Sequence, residues 1–478
     1  MQRIAWAAAA LAALVAAPAA AAGVSDASWF EKYTEVSSGV TPLCTTNAGD
    51  APQLAFGNNV DASHECGSQS ETSIAINPAN ADNVLAGSNE IQRLPMRAMF
   101  STDGGVTFTG VDLPLPPPRT QNGFDFGSDP GVAFDAKGNA YYSYIVVDFS
   151  TGGSINGTAM AVARSSDGGK TWTATYFNQQ TGTAQFDDKP FITVDTNRRS
   201  AFFGRIYVVW DHASNLAGTS SSTKNGNNIL ASHSDDGGVT FSEPVSVSGN
   251  FTGRTGGIAA DPYVTKDGTL HVAWQDYVHL TIADASSTDG GQTFSSPHVI
   301  ALVGGFDLGI PAMAVRRALV YPSCDSSGSS LYCSFMNGSD TAAQVFFSKS
   351  TDGGRTWTSP KAMPAGGDQF NQWLAVDHSN GSINIAYYDT ADDPTKVSTR
   401  YTLARSTDGG NTFTAAPVAN ARTDESCCRP SVNLGNQYGD YEGLAAAGGI
   451  VRPVWTDRRQ AVIDLGLREE VFTAALTP

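Results

Sequence analysis

Apolar residues along this chain alternate with polar ones in short runs. AMAVARS (159–165), TWTATYF (171–177) and AQVFFSKS (343–350) are examples. A period of two puts one face of a strand in a core and the other outside. Between such runs stand Gly-containing turns, and few stretches show helical spacing. The pattern predicts an all-β chain.

One turn recurs six times. Ser101–Phe108 reads STDGGVTF, Ser165–Trp172 SSDGGKTW, Ser234–Phe241 SDDGGVTF, Ser287–Phe294 STDGGQTF, Ser350–Trp357 STDGGRTW and Ser406–Phe413 STDGGNTF. Its Asp accepts bonds from turn amides, Gly supplies positive φ, and the aromatic fills space between sheets. A turn repeated six times reads as structure, so Asp103, Asp167, Asp236, Asp289, Asp352 and Asp408 are expected to fold hairpins. The alternating ligands of a DxDxDG calcium loop are missing.

Upstream of each box lie two further strand-like runs, as in DPGVAFDAKGNAYYSYIVVD (129–148) and NQWLAVDHSNGSINIAYYD (371–389). The first copy is ETSIAINPANADNVLAG (71–87), and a divergent fifth is IPAMAV followed by SLYCSF (310–335). Each unit is therefore a four-stranded antiparallel sheet, and such repeats make a β-propeller. A seventh unit starts at GDYEGLAAAGGIVRPVWTD (439–457), continues in EEVFTAALT (469–477) and has no box. An open sheet edge needs a partner, and PQLAFGNNV (52–60) is the expected donor. The sequence predicts seven blades closed by strands from both ends, with a six-bladed ring as the alternative.

Composition then narrows the setting. Residues 1–22 combine Arg3, an Ala-rich apolar run and small residues near Ala22, the pattern of a cleaved signal peptide. This predicts a secreted or periplasmic chain with an N-terminal extension over 23–51 and one propeller domain over 52–478. The net charge is −17, which argues against nucleic acid and anionic membranes as partners. A glycan or polysaccharide partner and a monomeric state are expected. The six cysteines are disulfide candidates. Cys324 and Cys333 flank a hairpin-like segment, whereas Cys427, Cys428, Cys44 and Cys66 leave their pairing open.

The motif S-x-D-x-G-x-T-[WF] resembles the Asp box of bacterial neuraminidase repeats, and the chain is similar to exported sialidase-like BNR-repeat proteins over almost all of its length after the signal peptide. The resemblance implies a propeller and, as one expectation, a glycoside hydrolase acting on terminal sugars of glycans. The boxes also occur in non-catalytic propellers, so a glycan- or protein-binding module is the alternative, as is a polysaccharide lyase on the same scaffold. Sialidases carry an F/Y-R-I-P motif in the first blade. Here the first inner strand, ETSIAINP, has no Arg, and QRLPMR (92–97) lies one strand later. No sialidase residue role is therefore carried across.

Strand order locates the site independently. The boxes share one end with the turn between strands one and two, so ligands belong at the other end, over the channel. The starts of the first strands there deliver Glu71, Asp129, Asp187, Asp188, Asp261, Asp368, Asp440 and Glu442. The ends of the second strands deliver Asp211, Asp276, Asp389 and Asp457. Paired carboxylates suit acid/base glycoside chemistry. Asp129, Asp188, Asp440, Glu71 and, as a nucleophile, Tyr441 are the candidate catalytic residues. Asp261, Asp389 and Asp457 are candidate substrate ligands, and Arg429, Arg458, Arg254 and Arg119, with Arg459, could clamp an anionic sugar. No cofactor is required, although such a carboxylate set also suits Ca²⁺. Trp210, Trp274, Tyr388 and Trp455 are expected in the core.

Overall fold

The computed structural model describes residues 55–477 except 57, 65–66, 92, 120–123, 151–154, 183–184, 215–226, 250–255, 314–316, 340, 365, 426–437 and 460–468. The expected signal peptide, the extension, Cys44, Cys66, Cys427, Cys428, Arg254 and Arg429 lie outside the described residues.

Seven antiparallel sheets form a seven-bladed β-propeller. From inner to outer strand, blade 1 runs Gln69–Ile76, Val84–Glu90, Arg97–Ser101 and Thr109–Asp112. Blades 2, 3 and 4 begin at Phe124–Phe134, Gln185–Val194 and Gly257–Val264. Blades 5 and 6 begin at Pro322–Ser327 and Gln369–Asp377. Blade 7 contains Gly443–Ala447, Ile450–Asp457 and Glu470–Ala474. The N-terminal strand Asn59–Asp61 completes it, pairing Asn59 with Ala474 and Asp61 with Phe472, and Ala55–Phe56 adds a fifth strand. The donor expected from PQLAFGNNV is the strand that closes the ring.

The boxes act through one repeated hydrogen-bond set. In blade 3 the Asp236 carboxylate accepts the amides of Val239 and Thr240 and the hydroxyls of Thr240 and Ser234, while the Gly238 amide donates to Ser234 Oγ. The Thr240 hydroxyl and then its amide pull the Asp236 pKa down to about 2. Gly237 and Gly238 have φ of 74° and 82°, a region open to glycine without a Cβ clash. Trp210, Trp274, Tyr388 and Trp455 are fully buried in the core between blades.

Blade 5 departs from the expected strand positions. Pro311–Met313, within the expected first strand, is a 3-10 turn, and its inner strand starts eleven residues later at Pro322. A proline ring fixes φ at a helical value and has no N–H for a ladder, which suits the start of a turn. Ala312 and Met313 are buried all the same, so the apolar run fills the core without pairing. Next to it Ala318–Leu319 pairs with Asp307–Leu308. Cys324 lies directly opposite Cys333 in the hairpin, and the two form a disulfide, compatible with an oxidising compartment. Among the described residues no helix is long and apolar enough to cross a membrane.

Candidate functional site

Five inner strands carry the same irregularity. The ladder shifts register between Ser70 and Ser73, Ser128 and Gly131, Asp188 and Phe191, Ile258 and Asp261, and Phe370 and Trp373. Two residues there face one on the neighbouring strand, which defines a bulge and re-aims side chains. The first residue of each bulge has positive φ: Glu71 54°, Asp129 59°, Lys189 51°, Ala259 55° and Asn371 47°. Gly439, with φ of 70°, precedes the inner strand of blade 7; a Cβ on it would stand 2.5 Å from Glu71 Cγ.

These bulges face the channel end away from the boxes and link the blades into a ring. Asn371 Nδ2 donates to Gly439 O at 3.1 Å, and the Asp440 amide donates to Glu71 Oε1 at 3.1 Å. Asn89 donates to Glu71 Oε2, and its own Oδ1 accepts the Asp129 amide at 2.8 Å. Gln372 Nε2 donates to Tyr321 O at 2.7 Å, and the Ala259 amide to Asp211 Oδ2 at 3.1 Å.

Lys189 stands at the centre of this ring. Its ammonium lies 2.7 Å from Asp440 Oδ2 and 3.6 Å from Asp129 Oδ1. The Tyr321 hydroxyl also reaches Asp440 Oδ2, at 3.4 Å. The rings of Tyr441 and Tyr321 have their centroids 5.7 and 5.8 Å from the ammonium. Beneath, Phe191, Trp373 and Tyr441 pack at centroid distances of 5.0–6.4 Å and plug the channel. Lys189 is 2% exposed, so its charge depends on these carboxylates and rings for what water no longer provides. Burial pushes the Asp211 pKa well up, with the Asp129 charge adding to it and Lys189 opposing.

The expected residues therefore separate into groups. Asp129, Asp440 and Glu71 come together at the ring, all buried. Asp188, 6% exposed, adjoins Lys189 and accepts its amide at 2.9 Å. Tyr441 belongs to the plug: its hydroxyl reaches Pro130 O at 3.4 Å, and burial, then Asp129 and Glu71, drive its pKa well above the usual phenol value. That environment favours the neutral phenol over a nucleophilic phenolate. Asp261 Oδ2 accepts the Cys324 amide at 2.6 Å and ties blade 4 to blade 5. Asp457 holds Arg459 and Trp455 Nε1, Asp276 caps a turn at Val278 and His279, and Asp389 accepts the Ala391 amide. Arg119 pairs with Asp125 at 3.5 Å and Arg458 with Glu469 at 3.5 Å. Among the described residues no group of three or more His, Cys, Asp or Glu is arranged to hold a metal ion.

Sequence reasoning passed over Lys189, Asn371 and the aromatic plug. The signal was present in the repeat: aligned on the bulge, the six positions read Glu71, Asp129, Lys189, Ala259, Asn371 and Gly439. One cation in a column with two carboxylates is the anomaly that marks the centre of the ring.

Residues 204–436 match the family model described as a BNR repeat-like domain. With the six boxes, this supports a BNR-repeat propeller family. No curated protein matches the chain. Among solved structures, the chain is similar to a protein of unknown function from Dyadobacter fermentans. They share 11% identity over 88% of this chain and 98% of that one, with a TM-score of 0.48. It is also similar to a leech intramolecular trans-sialidase, at 13% identity over 91% of this chain and 70% of that one, TM-score 0.45. A third is a Penicillium chrysogenum alpha-L-arabinanase, at 11% identity over 88% and 98%, TM-score 0.45.

Proposed function

We propose that this propeller is a glycoside hydrolase that removes terminal sugars from glycans at the channel end opposite its boxes. The observation that carries the reading is the convergence of Asp129 and Asp440, from different blades, on the single ammonium of Lys189. Glycosidic cleavage needs a proton on the leaving oxygen and negative charge beside the developing oxocarbenium ion. In this reading the Asp440 carboxylate beside the Lys189 ammonium takes the second task, Asp188 at the adjoining position gives its proton to the leaving oxygen as the glycosidic bond breaks, and water adds to the anomeric carbon and returns a proton to Asp188. Asp129 and Glu71 position the pair. Glu71, Asp129 and Asp188 lie on inner strands and Asp440 just before one, so the blades fix their geometry.

A sialic acid would require guanidinium groups for its carboxylate. Arg119 and Arg458 are paired with Asp125 and Glu469. Arg254 and Arg429 are the remaining candidates for that specificity.

The second reading is a non-catalytic glycan-binding propeller. It is favoured by the hydrogen bonds that commit Glu71 and the Asp129 and Asp440 amides to joining blades. Incubation of the purified chain with fluorogenic sialyl, arabinofuranosyl, galactosyl and mannosyl glycosides separates the two. Release from at least one is expected. Binding of glycans without release from any would leave the binding reading in its place.

A further inference from the structure

An open pocket of mixed polar and apolar lining lies between blades 5 and 6, with a volume of about 720 Å³. Gly304, Gly338, Gly366 and Gly367 contribute to its lining, so backbone rather than bulky side chains forms much of the wall. The pocket opens at the same end of the propeller as the Lys189 ring: Ser339 ends the second strand of blade 5, Ala342 begins the third, and 366–368 lead into the first strand of blade 6. None of the channel residues lines it.

Its chemistry is balanced. Lys396 Nζ lies 3.1 Å from Asp368 Oδ1, and that oxygen also accepts the Ala343 amide at 3.1 Å. Asp368 is buried, whereas the Lys396 side chain is 38% exposed. The carboxylate thus fixes an ammonium that still presents donors to the cavity. Asn337 Oδ1 accepts the amides of Gly304 and Gly338 at 2.8 and 2.9 Å, which turns the amide NH₂ of that side chain into its remaining hydrogen-bonding group. Phe346 is half-buried, stacked on Phe335 at 6.2 Å, and supplies the aromatic surface of the cavity.

We infer that this cavity is a binding site for a neutral oligosaccharide. An anionic ligand would find one cation already neutralised by Asp368. A cationic ligand would meet the exposed ammonium, and a wholly apolar one would leave the Asn337 NH₂ facing no acceptor. A sugar ring offers hydroxyls to Lys396, Asn337 and Ser339 and a C–H face to Phe346. The volume is within the range of small-molecule sites, about 300–1,000 Å³. Binding here stands apart from the hydrolysis reading.

Titration calorimetry of the full chain with mannohexaose, xylohexaose, arabinohexaose and 3′-sialyllactose tests the site directly, because it reads binding whether or not the chain cleaves glycosides. At least one neutral hexasaccharide is expected to bind. Lys396→Ala should weaken that binding at least about tenfold, and Ala342→Trp, at an exposed wall position, should abolish it with no change in melting temperature. The inference is overturned if no neutral hexasaccharide binds, if only sialyllactose binds, or if binding survives both substitutions.

Discussion

Lys189 is the residue on which the channel end depends. Removing a buried cation leaves its carboxylates without compensation, and breaking a buried ion pair from one side costs about 3–5 kcal/mol. Lys189→Met should destabilise the chain by about that amount. Adding Asp440→Asn should recover part of the loss, because the 2.7 Å partner is neutralised with it. Denaturant melts of the two single variants and the double variant measure the coupling; strict additivity would count against a paired centre. At this scale the sequence was only partly legible. Strand order places Asp129, Asp440 and Glu71 on or next to the inner strands of their blades. The distinction between Asp440, which meets Lys189, and Asp261, which accepts the Cys324 amide, does not. Both belong to the inner-strand segment of their repeat, and the neighbouring blade decides what each carboxylate meets. Tyr441 shows the same limit: the residue beside a carboxylate read as chemistry, and three-dimensional packing makes it part of the plug.

At the scale of the element, the box was legible because it is local. Asp167 bonds Lys170 and Thr171 within its own turn, so no distant partner is needed to fix the hairpin. Blade closure was legible too, because a unit lacking its fourth strand leaves a row of unpaired backbone groups. Blade 5 was misplaced because IPAMAV is apolar enough for a strand, yet Pro311 begins a turn and the paired strand forms only where the Cys324–Cys333 hairpin can register. Blade 7 gives a sharp prediction. Truncation to a chain starting at residue 62 removes Asn59–Asp61 and exposes the Glu470–Ala474 edge. The truncated chain should melt at lower temperature and self-associate in sedimentation. An unchanged, monomeric product would show that this strand does not close the ring.

At the scale of the whole molecule, burying carboxylates around the ring makes stability depend on pH. Burial raises the Asp261 pKa to about 8 and that of Glu442 to about 7, from ordinary values of 3.8 and 4.5. The folded chain therefore holds more protons than the unfolded one between about pH 4 and 8, and stability falls as pH rises through that window. The boxes act in the opposite sense: with Asp236 at about 2, their contribution is lost as pH falls below about 4. Melting temperature should peak in mildly acidic buffer. Asp261→Asn retains an acceptor for the Cys324 amide and should flatten the decline toward pH 8. A decline of the same slope in that variant would assign the effect to other groups.

If the boxes build the propeller and the opposite channel end carries the proposed chemistry, substitutions at the two ends should affect turnover very differently. The most direct measurement is kcat/KM on the glycoside released most readily, for the unchanged chain, for Asp440→Asn and for Asp167→Asn. The account predicts a loss of more than about 100-fold for Asp440→Asn with the fold intact by circular dichroism. For the box variant it predicts a change of only a few-fold at temperatures where it stays folded. Equal rates for Asp440→Asn and the unchanged chain would contradict it.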